Sequence, residues 1–519
     1  MRRERVQWSN IQALVMSGFP ALRYAAYVLF RFEEGPPGPQ PHASEWLWRL
    51  CQRVTTAAHV GTGDVPQACR YAASLADLKT LTERAAPPAD IWALNVAFTP
   101  SGLSLLGATD AELGRFSAEF QNGMAPPPDA DGNPRRRSSL LGDLGANSPQ
   151  HWSWGGWSAC NRFDGVLMLY ARSPASLRRL VAAELEAMRG VASPVWCRTD
   201  AGGCARFAQG RIYPRAAGHF GLVDGISQPV IEGTPRARSM PRSLRAVSVV
   251  AAGEFVLGYR DTRGAVVRYD DPAVPGSRDL GRNGSYLAVR QLEQDVEGYR
   301  QFVRDAALRL LGRDDQDAFD WVAAKLLGRR PSGEPLIPPP ADCRDEEQRL
   351  NGFRFSAEDR DGLACPLGSH IRRANPRDVV GPDPETALRL SRMHRLIRRG
   401  RSYGPRERRP GAGAAGVERG LFFICLQASL AGQFELVQHS WINNPQFEDL
   451  GGDVDPLSHV SGDTLTIQSR PSNLRLTGRT PFVRVKGGGY FFLPGLNAMR
   501  ALSEPGLAHG RASQALAAH

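Results

Sequence analysis

The sequence predicts an α+β fold of two domains divided near residue 240, and three observations carry that expectation. Over the first half, apolar runs rich in β-branched and aromatic residues alternate with helical spacing in the order β-α-β-β-α-β, the ferredoxin-like pattern. Similar elements return, less cleanly, in the second half. At 519 residues, 42% hydrophobic and 23% charged, the chain has an ordinary globular composition. That length is enough for about two to four domains.

Tyr24 to Phe32 reads as the first strand, ending at Glu33-Glu34-Gly35, and Ala43 to Val54 as the helix after it. Ile91 to Phe98 is a second strand that runs through Thr99-Pro100-Ser101 into a short helix, and Phe163 to Ala171 is a third. The clearest helix follows. Ser173 is placed to cap it, Pro174 takes its first position, Leu177, Leu180, Val181, Leu185 and Met188 share one face, and Gly190 closes it. A strand around Val195 completes the unit, while Pro126 to Asn147, rich in Pro, Asp and Arg, reads as an exposed loop. In the second half, Glu254 to Arg260, Ser285 to Arg290, Leu421 to Leu426 and Tyr490 to Leu493 read as strands, and Gln294 to Leu311 as a helix. Pro331 to Asp342 and Arg406 to Gly416 read as loops.

A net charge of +11 suggests an anionic partner. The pattern argues otherwise. Lysine stands only at Lys79, Lys325 and Lys486, and arginine is spread along the whole chain. The two dense clusters, Arg135 to Arg137 and Arg395 to Arg409, lack the interleaved aromatics of a single-strand groove, so no nucleic-acid partner is expected. Eight cysteines without close regular spacing read as mostly reduced, buried thiols. The start of the chain lacks a clean apolar block and cleavage site, and no run reaches the ~18 apolar residues of a membrane span. A cytoplasmic protein without a membrane partner is the expectation.

Gly411 to Gly416 matches a dinucleotide fingerprint by letter, but it follows Arg408-Arg409-Pro410 and precedes a strand, the reverse of the required context. Trp152, Trp154 and Trp157 read as core or interface packing. Phosphate loop and H-E-x-x-H patterns do not occur.

Three segments hold chemistry. Cys365 to Arg377, C-P-L-G-S-H-I-R-R-A-N-P-R, sets His370 between a Gly/Pro-rich turn and an arginine cluster. No Cys-x-x-Cys precedes it and no second ligand stands at zinc-like spacing, which leaves a surface residue, a core residue or the axial ligand of a non-covalent cofactor such as haem. Gly221-Leu222-Val223-Asp224-Gly225 frames a carboxylate with small neighbours, open to close approach by a ligand or turned back to cap its own backbone. His394 to Gly404 brings further arginines, functional or simply a solvated basic helix end.

With these segments the chain resembles the dye-decolorizing peroxidase family, a haem-dependent group. The motifs, in order, are G-L-V-D-G at Gly221 to Gly225 with Ile226-Ser227-Gln228-Pro229, the stretch Cys365 to Arg377, and R-R-G-R-S-Y-G at Arg398 to Gly404. Supporting stretches lie at Asn10 to Gln12, Leu94 to Leu103, Asn283 to Leu287, Gly420 to Phe423 and Gly487 to Pro494.

The resemblance implies two ferredoxin-like domains with antiparallel sheets, residues 1–240 and 241–519, and one non-covalent haem b per chain held mainly by the second. It implies a peroxidase that uses hydrogen peroxide to oxidise bulky donors such as dyes and phenols in one-electron steps through a ferryl intermediate, and it raises the expectation of a homo-oligomer. It makes His370 the proximal iron ligand, Asp224 the distal acid/base, Arg398 the distal cation, and Leu421 and Phe423 apolar shapers of the distal pocket. Arg372, Arg373 and Arg377 become candidates to pair with haem propionates or to form structural salt bridges. Glu435 is a candidate hydrogen-bond partner of His370, with a surface or helix-pairing role as its alternative. A haem carrier or sensor without turnover is the rival reading, and it does not require the Asp224 and Arg398 pair.

Overall fold

The structure is a computed structural model that describes residues 5–33, 41–60, 91–133, 136–158, 162–195, 197–198, 204–205, 208–211, 217–274, 277–339, 343, 345–405, 417–458, 463–478 and 481–503. In its first half the long elements are β1 (Tyr24–Phe32), α1 (Pro41–Cys51), β2 (Trp92–Phe98), α2 (Pro100–Leu105), α3 (Arg136–Leu141), β3 (Gly165–Ala171), α4 (Pro174–Ala187), β4 (Ala192–Pro194) and β5 (Ala208–Arg211). In the second they are β6 (Ser285–Gln294), α5 (Val296–Leu311), α6 (Gln316–Leu327), α7 (His370–Ala374), α8 (Pro384–Met393), β7 (Ile397–Arg398), β8 (Arg401–Tyr403), β9 (Gly420–Gln427), β10 (Val483–Leu493) and α9 (Leu496–Ser503).

The strands are almost wholly apolar because both of their faces are covered. On β1, Ala26, Val28 and Phe30 join the core beneath the helices, while Ala25, Tyr27 and Leu29 join a second core between the sheets. Each fully buried Leu or Phe in such a layer contributes roughly 1.5–3 kcal/mol. Helix α4 starts where the sequence says: the Ser173 hydroxyl accepts the Ser176 amide, and Leu177, Leu180, Val181 and Met188 are buried. Helix α2 is capped likewise by Thr99.

Strand order is β2-β3-β1-β5 in the first half and β10-β6-β9-β8 in the second, with every pair antiparallel. Two single pairings, Phe98 with Phe492 and Arg211 with Ser402, join the sheets at both sides into a closed circuit. The two inner faces meet through Tyr27, Met168, Val289 and Ile424, among others. Both sheets fit the ferredoxin-like α+β description.

Three expectations change. Glu254 to Arg260 is not a strand: Phe255, Val256 and Leu257 are buried, but Gly258 at φ +85° turns the chain and amides 255 and 256 both point back to the Ala252 carbonyl. Burial alone drove that apolar run. The stretch 126–147 is not wholly an exposed loop, because α3 buries Ser138 and Leu141, and Asp143 is fully buried against Arg290. A charge paired in the interior reads, in sequence, as polarity. His394 to Gly404 is not a solvated helix end, since it forms β7 and β8 and buries Arg395 and Arg401. The loop expected at 406–416, with its Gly411 to Gly416 decoy, lies outside the described residues.

Candidate active site

Residues from both the loops and the second sheet enclose a cavity of about 490 Å3. His370, Asp224, Arg398, Leu421, Phe423 and Arg377 all line it.

His370 opens the short helix α7, and the turn before it is pinned. Asp359 accepts the amides of Ala364 and Cys365, Gln468 accepts that of Leu367, and Ser369 is fully buried. The His370 Nδ1 lies 2.9 Å from Asp455 Oδ2. Asp455 is itself fixed, its other oxygen accepting from the amides of Leu457 and Ser458 and from the Ser458 hydroxyl. Burial on its own would lower the basicity of the imidazole, but the Asp455 charge and hydrogen bond outweigh it and raise the His370 pKa. Burial opposes ionisation of Asp455 as well, yet the partnership with His370 holds that carboxyl well below the usual range. With Nδ1 engaged, Nε2 is the nitrogen left for a ligand in the cavity.

Asp224 and Arg398 form a second polar group on the cavity wall. Arg398 Nη1 is 3.2 Å from Asp224 Oδ1, and Nη2 donates to the Ile226 carbonyl at 2.8 Å. Gln228 holds the Arg398 backbone through both its amide and its carbonyl, so the guanidinium starts from a fixed stem. The Asp224 side chain is 62% exposed, an exposure to the hollow that it lines. Desolvation pushes its pKa up, and the Arg398 charge, the Gly225 amide and the His370 charge together bring it below the ordinary carboxylate value. On β9, Phe422 and Ile424 are buried between the sheets, so the period of two turns Leu421 and Phe423 toward the cavity. The lining also includes Phe434 and Val437 from two π-helical turns, Leu430–Glu435 and Val437–Ile442.

The structure separates the arginine candidates. Arg372 is fully buried and donates to the carbonyls of Asp359 and Arg360 and to Glu448, while Arg373 is fully buried against the carbonyls of Gly368, Trp441, Asn444 and Asp453. Both are clamps that knit the surrounding loops, and neither lines the cavity. Consecutive helical residues point in different directions, so neighbours of His370 cannot all share its outlook. Arg377 does line the cavity, stacked on the Phe353 ring at 3.8 Å. Glu435 is not the partner of His370: it accepts from the Tyr490 hydroxyl at 2.8 Å and pairs with Arg137 at 3.2 Å.

Asp455 is the residue that sequence reasoning missed. The local signal exists, because Asp455-Pro456-Leu457-Ser458 is an aspartate poised to cap the following amides. Nothing in the sequence ties it to His370. Arg290, which lines the cavity and is paired with Asp143, was likewise read only as the end of a strand.

These residues suit a planar metal macrocycle on their own chemistry: a single available imidazole nitrogen, apolar walls at Leu421 and Phe423, and a guanidinium at Arg377. Residues 258–453 match the family model described as Dyp-type peroxidase, C-terminal. A dye-decolorizing peroxidase of Exidia glandulosa is 31% identical over 434 residues, 78% of this chain and 75% of the relative. The multifunctional dye peroxidase DyP2 of an Amycolatopsis strain is 33% identical over 303 residues, 55% of this chain and 60% of the relative. Among solved structures, the fungal DyP-type peroxidase from Auricularia auricula-judae superposes with a TM-score of 0.70 at 22% identity, covering 96% of this chain and all of that one. The Anabaena DyP-type peroxidase gives 0.71 at 21%, covering 95% and 94%. The last two likenesses speak for the fold alone, but identity sustained over three quarters of the Exidia relative goes further, and the chain therefore belongs to the dye-decolorizing peroxidase family, haem enzymes that act as peroxidases.

Proposed function

We propose that the cavity holds haem b non-covalently, with His370 as the axial ligand, and that the chain uses hydrogen peroxide to oxidise bulky donors such as dyes and phenols. The observation that carries this reading is the Asp224–Arg398 contact at 3.2 Å, in a cavity also lined by an imidazole anchored by Asp455. The haem, when bound, supplies the redox-active iron.

The protein's own groups do the rest. The His370 Nδ1–H donates to the Asp455 carboxylate, which fixes the tautomer and ring orientation and strengthens Nε2 as a donor to metal. Asp224, held ionised by Arg398, accepts a proton from the near oxygen of peroxide and returns it to the far one, which leaves as water. Arg398 places a permanent positive charge beside the departing oxygen, where negative charge grows as the O-O bond breaks. Its fixed stem means little reorganisation at that moment. Leu421 and Phe423 keep the pocket apolar and limit water. Arg377, whose Nη1 donates to the carbonyls of Asn351 and Phe353, would meet a carboxylate of the cofactor with its remaining donors.

The test is optical. Protein loaded with haem should show a Soret band that changes on adding peroxide and recovers on adding a dye. In His370→Ala the band should weaken or shift; an unaltered spectrum in that variant overturns the assignment of His370.

A further inference from the structure

Tyr490 and Glu435 form a buried phenol–carboxylate pair one aromatic ring behind the cavity wall. Tyr490 is 2% exposed and Glu435 is 7% exposed. The phenol donates to Glu435 Oε1 at 2.8 Å, and Arg137 holds the same oxygen at 3.2 Å. The Tyr490 ring meets Phe434 edge-on at 6.1 Å, and Phe434 lies 6.2 Å from Phe423; both phenylalanines line the cavity. Tyr403 makes a like bond to Glu418, but its ring meets Phe422, which does not line the cavity, whereas the Tyr490 ring meets Phe434, which does; the peroxide chemistry above makes no use of Tyr490.

We propose that Tyr490 is an internal one-electron donor to the cavity, with Glu435 as the base that takes its phenolic proton. The inference rests on the peroxidase reading, because that activity supplies the oxidant. Reduction of one peroxide to two waters consumes two electrons and two protons. In the absence of an external donor, one of those electrons would come from the bound haem and the other from Tyr490, with both protons drawn from the medium; the Tyr490 O-H bond breaks and its proton moves the 2.8 Å to Glu435, leaving a neutral tyrosyl radical and a neutral carboxylic acid. When a donor arrives, its electron returns to the ring and the proton returns from Glu435.

Three features support this step over a purely structural pair. Burial, followed by the charge of Glu435, holds the Tyr490 phenol far above its ordinary range, so loss of the proton has to accompany loss of the electron. The acceptor sits within hydrogen-bond reach, so the proton needs no solvent path. Arg137 remains beside Glu435 throughout, and its guanidinium also lies 6.0 Å from the Tyr490 ring centre, which disfavours charge build-up on the ring and favours the neutral radical. The dry surroundings, with Tyr490 packed into the helix-side core, shield that radical from quenching.

The experiment mixes haem-loaded protein with one equivalent of peroxide and no donor, freezes it within milliseconds to seconds, and records the electron paramagnetic resonance spectrum beside the Soret change. Wild-type protein should give a tyrosyl signal that narrows when the chain is made with ring-deuterated tyrosine. Tyr490→Phe should lose that signal while keeping the Soret response and its rate with a small phenol. Glu435→Gln keeps the ring but removes the base, and should reduce the signal several-fold. A signal of unchanged size and shape in Tyr490→Phe overturns the inference, and so does a Soret change in wild type without any tyrosyl signal, both leaving the peroxidase reading intact. Absence of a Soret change in wild type counts against both.

Discussion

His370 and Asp455, 85 residues apart in the chain, meet through one hydrogen bond of 2.9 Å. Asp455 is fully buried and accepts three further hydrogen bonds on its second oxygen, so the imidazole leans on a group that cannot move. A ligand's orientation and basicity are set by its own partner as much as by the ligand.

Asp455→Asn should therefore keep the shape of the contact but remove its charge. Haem affinity or turnover should drop by about 10–100-fold, the usual cost of losing such a partner. Titration of haem into the haem-free variant measures the first, and the reduction potential of the loaded protein should rise as the imidazole becomes a weaker donor. A variant with wild-type affinity and potential would show that Asp455 only packs.

Asp224 and Arg398 should fail differently. Asp224→Asn removes the movable proton and should slow the reaction with peroxide by about 10²–10⁴-fold, and Arg398→Leu should cost about 10²–10³-fold by removing the fixed charge. Both variants should retain haem, because neither side chain holds it. Stopped-flow recording of the Soret change gives both rates, and loss of haem from either would reassign it to a structural role.

The pH profile follows from the same pair. Arg398 keeps the Asp224 pKa below the ordinary carboxylate value, so the base stays available as the medium becomes acidic, and dye oxidation should persist beyond the point at which an ordinary carboxylate takes up its proton. Without the cation, protonation of Asp224 begins at higher pH. The acid limb of the normalised rate in Arg398→Leu should therefore move upward, and a limb that stays in place would exclude Asp224 as its source.

Arg373→Leu should act on stability. Four backbone carbonyls lose their donor in the interior, and breaking so buried a polar network costs on the order of 3–5 kcal/mol. The denaturant midpoint of the haem-free protein should drop accordingly. If instead only haem retention suffers, Arg373 has a role at the cofactor that its contacts do not explain.

The elements that the sequence displays well are those whose local pattern and burial agree. Strands β1, β2 and β3 are apolar on both faces, and α4 carries its cap, its stripe and its closing glycine in one stretch. His370, Asp224 and Arg398 could be picked out because each sits in a recognisable motif. Asp455 could not, since its partner is fixed only when two distant loops pack. Arg372 and Arg373 misled for the same reason: the sequence shows that they are basic, whereas the fold decides that backbone carbonyls surround them. Glu254 to Arg260 shows the limit of apolar content as a strand signal, because a glycine with positive φ can bury the same residues in turns.

The circuit of strands described above also governs how copies of the molecule can meet. Where its two seams leave a flank bare, other parts of the chain cover it: Gln12 and Thr55 bond the backbone of β2 at Val96 and Leu94, while Asn147 and Ser153 bond that of β10 at Val485 and Lys486. A ladder protected in this way offers little template for an incoming strand. Among the described strands of the circuit, contact between copies is thus steered toward side chains on the outer surface rather than toward the ladder.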